Sequence, residues 1–453
     1  MMIQNTKNLL PLLLVTFLFT TTCFAQDDSK VNFVIIMADD LGYNDISCFG
    51  STTINTPNLD QLASEGIKFT DFHSNGTVCS PTRAALITGK YQQRTGISGV
   101  VTAKSHRDVG LPLDELTFAE ALRDNGYTTA MFGKWHVGYD SKYNPVKQGF
   151  KEFKGYVSGN VDYHGHIDQE GYFDWWSGDI LKDDKGYSTD LITDYGVDFI
   201  KRNKDKPFLL YLPHESPHSP FQRRVGEAIR VEGKPGENAD YKKLVKNKDS
   251  VLAIRKEMIE VMDEGIGRII STLKTYGIEK RTLVLFCSDN GAPVNHGSNK
   301  PLRAGKGSIY EGGHRVPAIA WWPGKGRRGV QSDQTLMTMD IFPTLLDISK
   351  AATASKLDGI SFAQIITGDK KLKKRKQFWK YKNQSAVRSG DFKLVSQRDK
   401  NKTTEELYNL KLDIGETQNI ISDNPRIAKS LKKALAKWEK DVMQTSSLTD
   451  QAR

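Results

Sequence analysis

The chain has 453 residues, of which 38% are hydrophobic and 26% are charged. This balance excludes a disordered or fibrous chain and is typical of a globular protein with one large domain and a smaller one. The formal net charge of +10 favours polyanionic partners, but a basic surface alone does not indicate nucleic acid, and we expect no nucleic-acid partner.

Residues 1–25 are typical of a secretory signal peptide. Lys7 gives the positive start, Leu9 to Phe19 form the apolar stretch, and Cys23-Phe24-Ala25 is a plausible cleavage site. The apolar stretch is too short for a membrane span, and no later stretch is long enough. We therefore predict a protein exported to the periplasm or secreted, with a lipid anchor on Cys23 as the alternative.

Cleavage there would leave Cys48, Cys79 and Cys287. An odd number of cysteines in an exported protein leaves at least one unpaired, and Cys79 is our candidate for it. Whether Cys48 and Cys287 form a disulfide stays open at this point.

Two apolar runs each end in oxygen-bearing side chains. Val31 to Ala38 reads as a buried strand and is followed by Asp39 and Asp40. Thr282 to Cys287 reads as a second buried strand, and Asp289 and Asn290 lie just beyond it. Ligand sites in open α/β sheets lie at the carboxyl ends of strands, and hard divalent cations prefer oxygen ligands. The pattern indicates a cation site, with a polar turn as the alternative.

The segment Cys79-Ser80-Pro81-Thr82-Arg83 predicts the start of a helix. Pro81 suits the first helical position, and Ser80 suits the cap before it. Cys79 then lies beside a helix N-terminus, which favours an anion, and Arg83 lies about one turn further on. The thiol is either a small buried hydrophobe or a reactive group. The spacing of three residues between Cys79 and Arg83 does not match the five of the phosphatase signature.

The remaining elements alternate between strands and helices. We predict helices over residues 57–65, 116–125 and 252–276, strands over 127–135 and 207–211, and a last helix from Pro425. Lys134 and His136 would share one face of their strand. Three prolines exclude a helix at 213–220, so His214 and His218 are not a helical zinc pair. The aromatic segment 156–178 is either a sugar platform or a small core.

A change in composition near residue 350 divides the chain. We predict a catalytic domain over residues 26–350 and an α+β subdomain over residues 351–453, with short strands near 385–395 and 405–410 and a terminal helix. Lys306 lies in a glycine-rich loop that lacks the phosphate-binding pattern, so we do not predict a nucleotide site.

Taken in order, these motifs resemble the type I sulfatases. The resemblance rests on the acidic strand ends, on Cys-x-Pro-x-Arg followed by Thr88-Gly89, on Gly-Lys-Trp-His at 133–136, and on the runs at 218–220 and 311–315. It implies an alkaline-phosphatase-like α/β sandwich, in which a large mixed sheet is flanked by helices, with a C-terminal subdomain that carries a short antiparallel sheet.

The resemblance also implies the site residues. Cys79 would be oxidised to 3-oxoalanine (formylglycine) by a formylglycine-generating or anaerobic sulfatase-maturating enzyme. Ca²⁺, or Mg²⁺ in a tighter cage, would be held by the modified Cys79 and by Asp39, Asp40, Asp289 and Asn290. Arg83 would steady the formylglycine, and Asp289 would act as the base. The sulfate and proton-transfer shell would be Lys134, His136, His218 and Lys306.

The implied activity is sulfate ester hydrolysis on a sulfated carbohydrate. The alternatives are a phosphodiester or phosphonate monoester hydrolase of the same superfamily and an inactive glycan-binding relative. His314 departs from the small apolar residue that many relatives carry at this position. We consider six histidines as possible substrate contacts: His73, His164, His166, His214, His296 and His314.

Overall fold

The computed structural model describes residues 30–400 and 402–443. The predicted signal peptide and Cys23 lie outside the described residues. Within the described part of the chain, no helix has both the length and the apolar character that a membrane span requires.

The described residues form sixteen strands and ten α-helices, in alternating groups. The strands are β1 Asn32–Ala38, β2 Ile67–Phe69, β3 Phe72–His73, β4 Thr128–Lys134, β5 Glu152–Tyr156, β6 Trp176–Ser177, β7 Ile180–Leu181, β8 Phe208–Pro213, β9 Thr282–Ser288, β10 Ala318–Trp321, β11 Val330–Ser332, β12 Leu336–Met337, β13 Lys376–Tyr381, β14 Gln384–Ser389, β15 Phe392–Asp399 and β16 Lys402–Asn409. The helices are α1 Pro57–Glu65, α2 Cys79–Thr88, α3 Phe118–Arg123, α4 Ser188–Asn203, α5 Ala239–Leu244, α6 Lys248–Thr275, α7 Glu311–His314, α8 Ile341–Ser349, α9 Ala363–Thr367 and α10 Pro425–Val442.

A ten-stranded mixed sheet forms the centre, in the order β11-β2-β10-β9-β1-β8-β4-β5-β6-β7. Strand β1 lies in its middle and runs parallel to both β8 and β9. Alternate side chains of β1 enter two different cores, because successive residues of a strand face opposite sides of the sheet. Phe33, Ile35 and Met37 pack on one side with α2, α3 and α8. Val34 and Ile36 pack on the other side with α1, α4 and α6.

Strands β13 to β16 form a separate antiparallel sheet, which α10 covers. The helical period predicts a buried stripe of Ile427, Leu431, Leu435, Trp438 and Val442 on the last helix. The last four are buried in α10, whereas Ile427 is only half-buried. The fold class predicted from the sequence is thereby confirmed. The boundary at residues 350 and 351 stays a prediction, and α9 beyond it packs on the first core through Ile365 and Ile366.

For the long helix, the period of 3.6 residues predicts one apolar face of seven residues. All seven are buried in α6: Ile254, Met258, Val261, Met262, Ile266, Ile269 and Leu273. Helix α3 is shorter than predicted. It begins after Thr117, whose side chain and the side chain of Glu120 form a reciprocal capping box.

Cys48 and Cys287 are both free thiols in the structure. Cys287 packs in the core on the α2 side of the central sheet, whereas Cys48 packs against the core on the α6 side. The sheet therefore separates the two sulfur atoms, and the possible disulfide between them does not form.

Candidate active site

Two neighbouring strand ends bring the acidic residues together. Strands β1 and β9 are in register up to the pair Ala38 and Ser288, so the residues that follow both strands meet at one edge. Asp40 lies in the left-handed region with a φ of 63°, which Asp tolerates better than most residues. Its backbone N–H donates to Asp289 Oδ1 at 3.2 Å, and Asn290 Nδ2 donates to Asp40 Oδ1 at 2.7 Å.

Cys79 is the first residue of α2, and Val78 is its cap. This differs from the prediction that Ser80 caps the helix. The reason is that Ser80 Oγ instead accepts a hydrogen bond from the backbone N–H of Val101 at 3.0 Å. All ten residues of α2 are buried, and Cys79 Sγ donates to Asp39 Oδ1 at 3.3 Å. The reactive candidate is therefore held at the acidic strand ends.

Arg83 joins the helix to the acidic residues. Its guanidinium donates to Asp289 Oδ2 through Nε at 3.1 Å and through Nη2 at 2.9 Å. Its Nη1 donates to the carbonyl oxygen of Lys134 at 2.9 Å. Because three of its donors are engaged, Arg83 fixes both α2 and the end of β4 relative to Asp289.

Two lysines neutralise the strand-end carboxylates. Lys134 Nζ, which is fully buried, lies 2.6 Å from Asp39 Oδ2. Lys306 Nζ lies 2.8 Å from Asp40 Oδ2 and 3.2 Å from His218 Nε2. Nδ1 of His218 contacts the carbonyl oxygen of Ser219. If that nitrogen carries the proton, Nε2 is left as an acceptor for the lysine ammonium.

His136 reaches the same region in an unexpected way. Strand β4 ends at Lys134, and His136 has a φ of 61°, so the two residues do not alternate along one extended strand as predicted. Nε2 of His136 donates to the carbonyl oxygen of Val101 at 2.9 Å. Its Nδ1 is buried and makes no hydrogen bond, so the lone pair of this nitrogen has no donor in the structure.

The pKa values of the neighbouring acids Asp40 and Asp289 are shifted in opposite directions. Burial raises the pKa of Asp40, but the charge of Lys306 and the hydrogen bonds from Lys306 and Asn290 outweigh burial and hold this pKa well below its usual range. Burial and the charge of Asp39 raise the pKa of Asp289 to about 6. Asp289 is therefore the more basic carboxylate of the pair.

The other ionisable groups shift mainly because they are buried. Burial and the Lys306 charge lower the pKa of His218 to about 3. Burial and the Lys134 charge lower the pKa of His136 well below its usual range, so both imidazoles are neutral. Burial and the charges of Asp289 and Asp39 raise the pKa of the Cys79 thiol well above its usual range. An unmodified Cys79 is thus a poor nucleophile, because only the thiolate attacks.

The residues at the strand ends fit a hard divalent cation. Ligand atoms of Asp39, Asp40, Cys79 and His218 lie within 4.8 Å of one another. Oδ1 of Asn290 is buried and makes no hydrogen bond, although a buried polar atom normally has a partner. A Ca²⁺ ion would satisfy this oxygen together with the neighbouring carboxylates.

A cavity of about 500 Å³ opens above Cys79. Four predicted residues line it: Cys79, His136, His218 and Lys306. Sequence analysis missed other residues that line it, among them Tyr139, Ser158, Asn160, Asp168 and Glu170. Most of these lie in the segment 156–178, where we weighed the aromatic rings and passed over the polar residues. Tyr156 and Trp175 of that segment are buried in the core, which agrees with the interpretation of a small core.

None of the six histidines considered as substrate contacts lines this cavity. His73 and His314 are fully buried and hydrogen-bond each other through their Nδ1 atoms at 3.0 Å. His166 is buried and stacks on Trp175. These three side chains are buried and do not line the cavity, so this geometry does not support them as substrate contacts.

The other three histidines also have different surroundings. His214 is buried, which lowers its pKa to about 4. Nε2 of His164 lies 3.0 Å from the carbonyl oxygen of Arg223, and the His296 ring packs against Phe221. These histidines were predicted as contacts from their residue type, and residue type alone does not reveal whether a side chain is buried.

Comparisons with known proteins agree with this geometry. A family model described as sulfatase matches residues 31–351, and a model of the C-terminal part of N-sulphoglucosamine sulphohydrolase matches residues 305–441. The chain is 33% identical to N-acetylgalactosamine-6-sulfatase of Rattus norvegicus, over 73% of this chain and 64% of that protein. It is 32% identical to arylsulfatase A of Homo sapiens, over 80% of this chain and 74% of that protein.

The fold is also similar to that of a solved structure. The protein Ps i-CgsB, in complex with k-i-k-neocarrahexaose, superposes with a TM-score of 0.81 at 28% identity. The superposition covers 92% of this chain and 95% of that one. The resemblance found in the motifs is thus confirmed by sequence and by structure: the chain belongs to the sulfatase family, in the alkaline-phosphatase-like superfamily.

Proposed function

We propose that this protein is an exported sulfuric ester hydrolase that removes sulfate from a sulfated carbohydrate. The observation that carries the proposal is the position of Cys79, at the start of α2 and 3.3 Å from Asp39, on the floor of the cavity that Lys306 and His218 also line. The sulfatase relatives and the oligosaccharide bound to Ps i-CgsB support a sulfated glycan as the substrate.

Two groups would have to be added to the chain for this chemistry. Cys79, converted to formylglycine, would supply as its hydrate the hydroxyl that attacks sulfur. A Ca²⁺ ion held by Asp39, Asp40, Asp289 and Asn290 would supply positive charge against the sulfate oxygens. In the net reaction one water is consumed, the bond between sulfur and the sugar oxygen breaks, the sugar oxygen gains a proton, and sulfate is released.

The chain's own residues move the protons. Asp289 would be the base that takes a proton from the attacking hydroxyl, and the Arg83 guanidinium holds this carboxylate in place with two hydrogen bonds. The unpaired Nδ1 of His136 suits a second proton acceptor. It would take the proton of the other hydroxyl of the hydrate, so that sulfate leaves and the aldehyde forms again. The departing sugar oxygen takes its proton from the Lys306 and His218 pair, whose nitrogens are 3.2 Å apart.

Positive charge orients the ester. Lys134 pairs with Asp39 and Lys306 pairs with Asp40, and both would stabilise the charge that grows on the transferred group. The buried environment strengthens these interactions relative to water.

The test is sulfate release from 4-nitrophenyl sulfate and from sulfated oligosaccharides of carrageenan and chondroitin sulfate. We expect Cys79→Ala to lower kcat/KM by about a thousandfold or more, since it removes the nucleophile. Cys48→Ala is the matched control, because Cys48 is also a free thiol but does not line the cavity. Intact-mass measurement of the purified protein should show the lower mass of formylglycine.

Two outcomes would overturn the proposal. Faster turnover of an aryl phosphonate than of the aryl sulfate would assign the phosphonate chemistry of the same superfamily. Binding of the oligosaccharides without any sulfate release from a protein that carries formylglycine would indicate a glycan-binding relative.

A further inference from the structure

We propose that Asn160 positions the substrate by hydrogen bonding to an uncharged polar group of the sugar, a hydroxyl or an amide N–H, next to the sulfate. This inference rests on the proposed function and identifies a side chain that would recognise the sugar. Asn160 lines the same cavity as Cys79 and is only 6% exposed.

The first argument is an unmet hydrogen-bonding capacity. The carboxamide oxygen of Asn160 is buried and has no hydrogen-bond partner in the structure. Leaving such a group unsatisfied costs about 1–3 kcal/mol, so a buried orphan amide beside a cavity points to a ligand that completes it.

The second argument is that the backbone around Asn160 is held by side chains from three other segments. The N–H groups of Val157 and Ser158 donate to Asp174 at 3.2 and 2.8 Å. The N–H of Gly159 donates to the Tyr139 hydroxyl at 3.2 Å.

On the other side of Asn160, the N–H of Val161 donates to Glu215 Oε1 at 2.8 Å. The carbonyl oxygen of Asn160 accepts from Ser158 Oγ at 3.1 Å. The backbone N–H groups of residues 157, 158, 159 and 161 and the carbonyl oxygen of Asn160 therefore all make hydrogen bonds, whereas the carboxamide oxygen of Asn160 makes none. A rigid backbone that leaves one side chain free is a preorganised binding group.

The third argument connects this segment to the reaction site. A side chain at Gly159 would place its Cβ only 2.9 Å from Nε2 of His136, so the segment lies directly against the candidate proton acceptor. A sugar whose sulfate is above Cys79 would therefore have neighbouring groups within reach of residue 160.

The charges of the residues that line the cavity indicate which kind of sugar group would lie beside Asn160. Asp168 and Glu170 line the same cavity; Asp168 is paired with Arg107 at 3.5 Å, and the Glu170 carboxylate would disfavour a second sulfate beside it. A neutral carboxamide can donate and accept, which matches a sugar hydroxyl or an acetamido group. The positive side of the cavity, with Lys306, then serves the sulfate that is removed.

The test is the discrimination between a sulfated sugar and an ester without a sugar. For Asn160→Ala we expect the ratio of kcat/KM for the best sulfated oligosaccharide to kcat/KM for 4-nitrophenyl sulfate to fall about ten- to a hundredfold. In a Cys79→Ser background, Asn160→Ala should weaken binding of the same intact oligosaccharide by a similar factor. The melting temperature should not fall, because Asn160→Ala removes no hydrogen bond from its side chain.

Asn203→Ala is the matched control, because that buried amide is paired with the carbonyl oxygen of Phe199 and does not line the cavity. It should lower the melting temperature and leave the substrate ratio as it is. An unchanged ratio for Asn160→Ala in an active enzyme would overturn the inference, as would a wild type that cleaves the aryl ester but none of the oligosaccharides. A wild type that cleaves neither ester would instead overturn the proposed function.

Discussion

Removing the amino group of Lys393 should destabilise the protein far more than removing a lysine from the surface of the same sheet. Lys393 lies on β15 and is fully buried. Its Nζ is 2.9 Å from Glu311 Oε1, 2.9 Å from Glu416 Oε1 and 3.1 Å from His314 Nε2. The contact with Glu416 is close but too poorly aligned for a hydrogen bond, so it is mainly Coulombic.

The magnitude follows from burial. Lys393→Met keeps most of the side-chain volume but leaves two fully buried carboxylates without the cation they share. Removing one partner of a buried ion pair costs about 3–5 kcal/mol. Lys380→Met is the matched control on β13, because Lys380 pairs with Glu439 at 2.8 Å while both side chains are about a quarter exposed. That loss should stay below about 1 kcal/mol.

The assay is urea unfolding, in which the midpoint shift gives the change in the free energy of unfolding. The double variant Lys393→Met with Glu416→Gln should recover part of the loss, because it removes one of the uncompensated charges. Recovery greater than the effect of Glu416→Gln alone would measure the coupling between the two residues.

The pH dependence has a definite sign. Burial raises the pKa of Glu311, but Lys393 and the nearby histidines outweigh it, and the pKa lies well below its usual range. The charge of Glu311 therefore contributes stability above the unfolded pKa of about 4.3, and this contribution is lost as the pH falls through the folded pKa. The difference between wild type and Lys393→Met should be largest near neutrality and should shrink in acid. Equal losses for Lys393→Met and Lys380→Met, or a loss independent of pH, would refute the reasoning.

Two further predictions concern other buried acceptors. Ca²⁺ should raise the melting temperature of the wild type. At a Ca²⁺ concentration a hundredfold above Kd, the free energy of unfolding should increase by about 2.7 kcal/mol. Asn290→Ala should require more Ca²⁺ for the same shift in a thermal titration, and an unchanged titration would exclude Asn290 as a ligand. Asp263→Ala should cost about 2–3 kcal/mol in urea unfolding, because Asp263 accepts three hydrogen bonds at the start of α1, from the N–H and Nδ2 of Asn58 and the N–H of Leu59. Asp198→Ala, which removes an exposed carboxylate, is its control and should change the midpoint little.

The parts of the fold that depend on local pattern could be predicted from the sequence. Strands β1 and β9 are continuous apolar runs, and the rule that sites lie at the carboxyl ends of strands was enough to bring Asp39 and Asp289 together. The face of α6 follows from a helical period. These inferences need only neighbours in the chain and the geometry of one element.

Other features depend on partners that are distant in sequence. Ser80 was predicted to be a cap, but its hydroxyl accepts from Val101, which lies 21 residues away. His314 was considered a substrate contact, but its imidazole is enclosed by His73 and Lys393. Asn160 could not be singled out from the sequence, because what distinguishes it is a buried carboxamide oxygen without a hydrogen-bond partner. Such facts appear only when burial and partners are known.

Two largely buried charge networks in this protein have the same composition and different consequences. Each holds three carboxylates and three cationic side chains. In the first these are Asp39, Asp40 and Asp289 with Arg83, Lys134 and Lys306. In the second they are Asp71, Glu311 and Glu416 with Arg315, Arg388 and Lys393.

The two networks differ in what surrounds them. In the second, each carboxylate lies within 3 Å of a cation, which suits a fixed connection between the central sheet and the C-terminal sheet. Next to the first, Asn290 Oδ1 and His136 Nδ1 make no hydrogen bond, and His136 lines the open cavity. Because the charges of the first network already cancel, a bound Ca²⁺ ion would give it a net charge of two. That excess would attract the singly charged ester, and it would stabilise the further negative charge that develops on the transferred group and the sugar oxygen as the ester bond breaks.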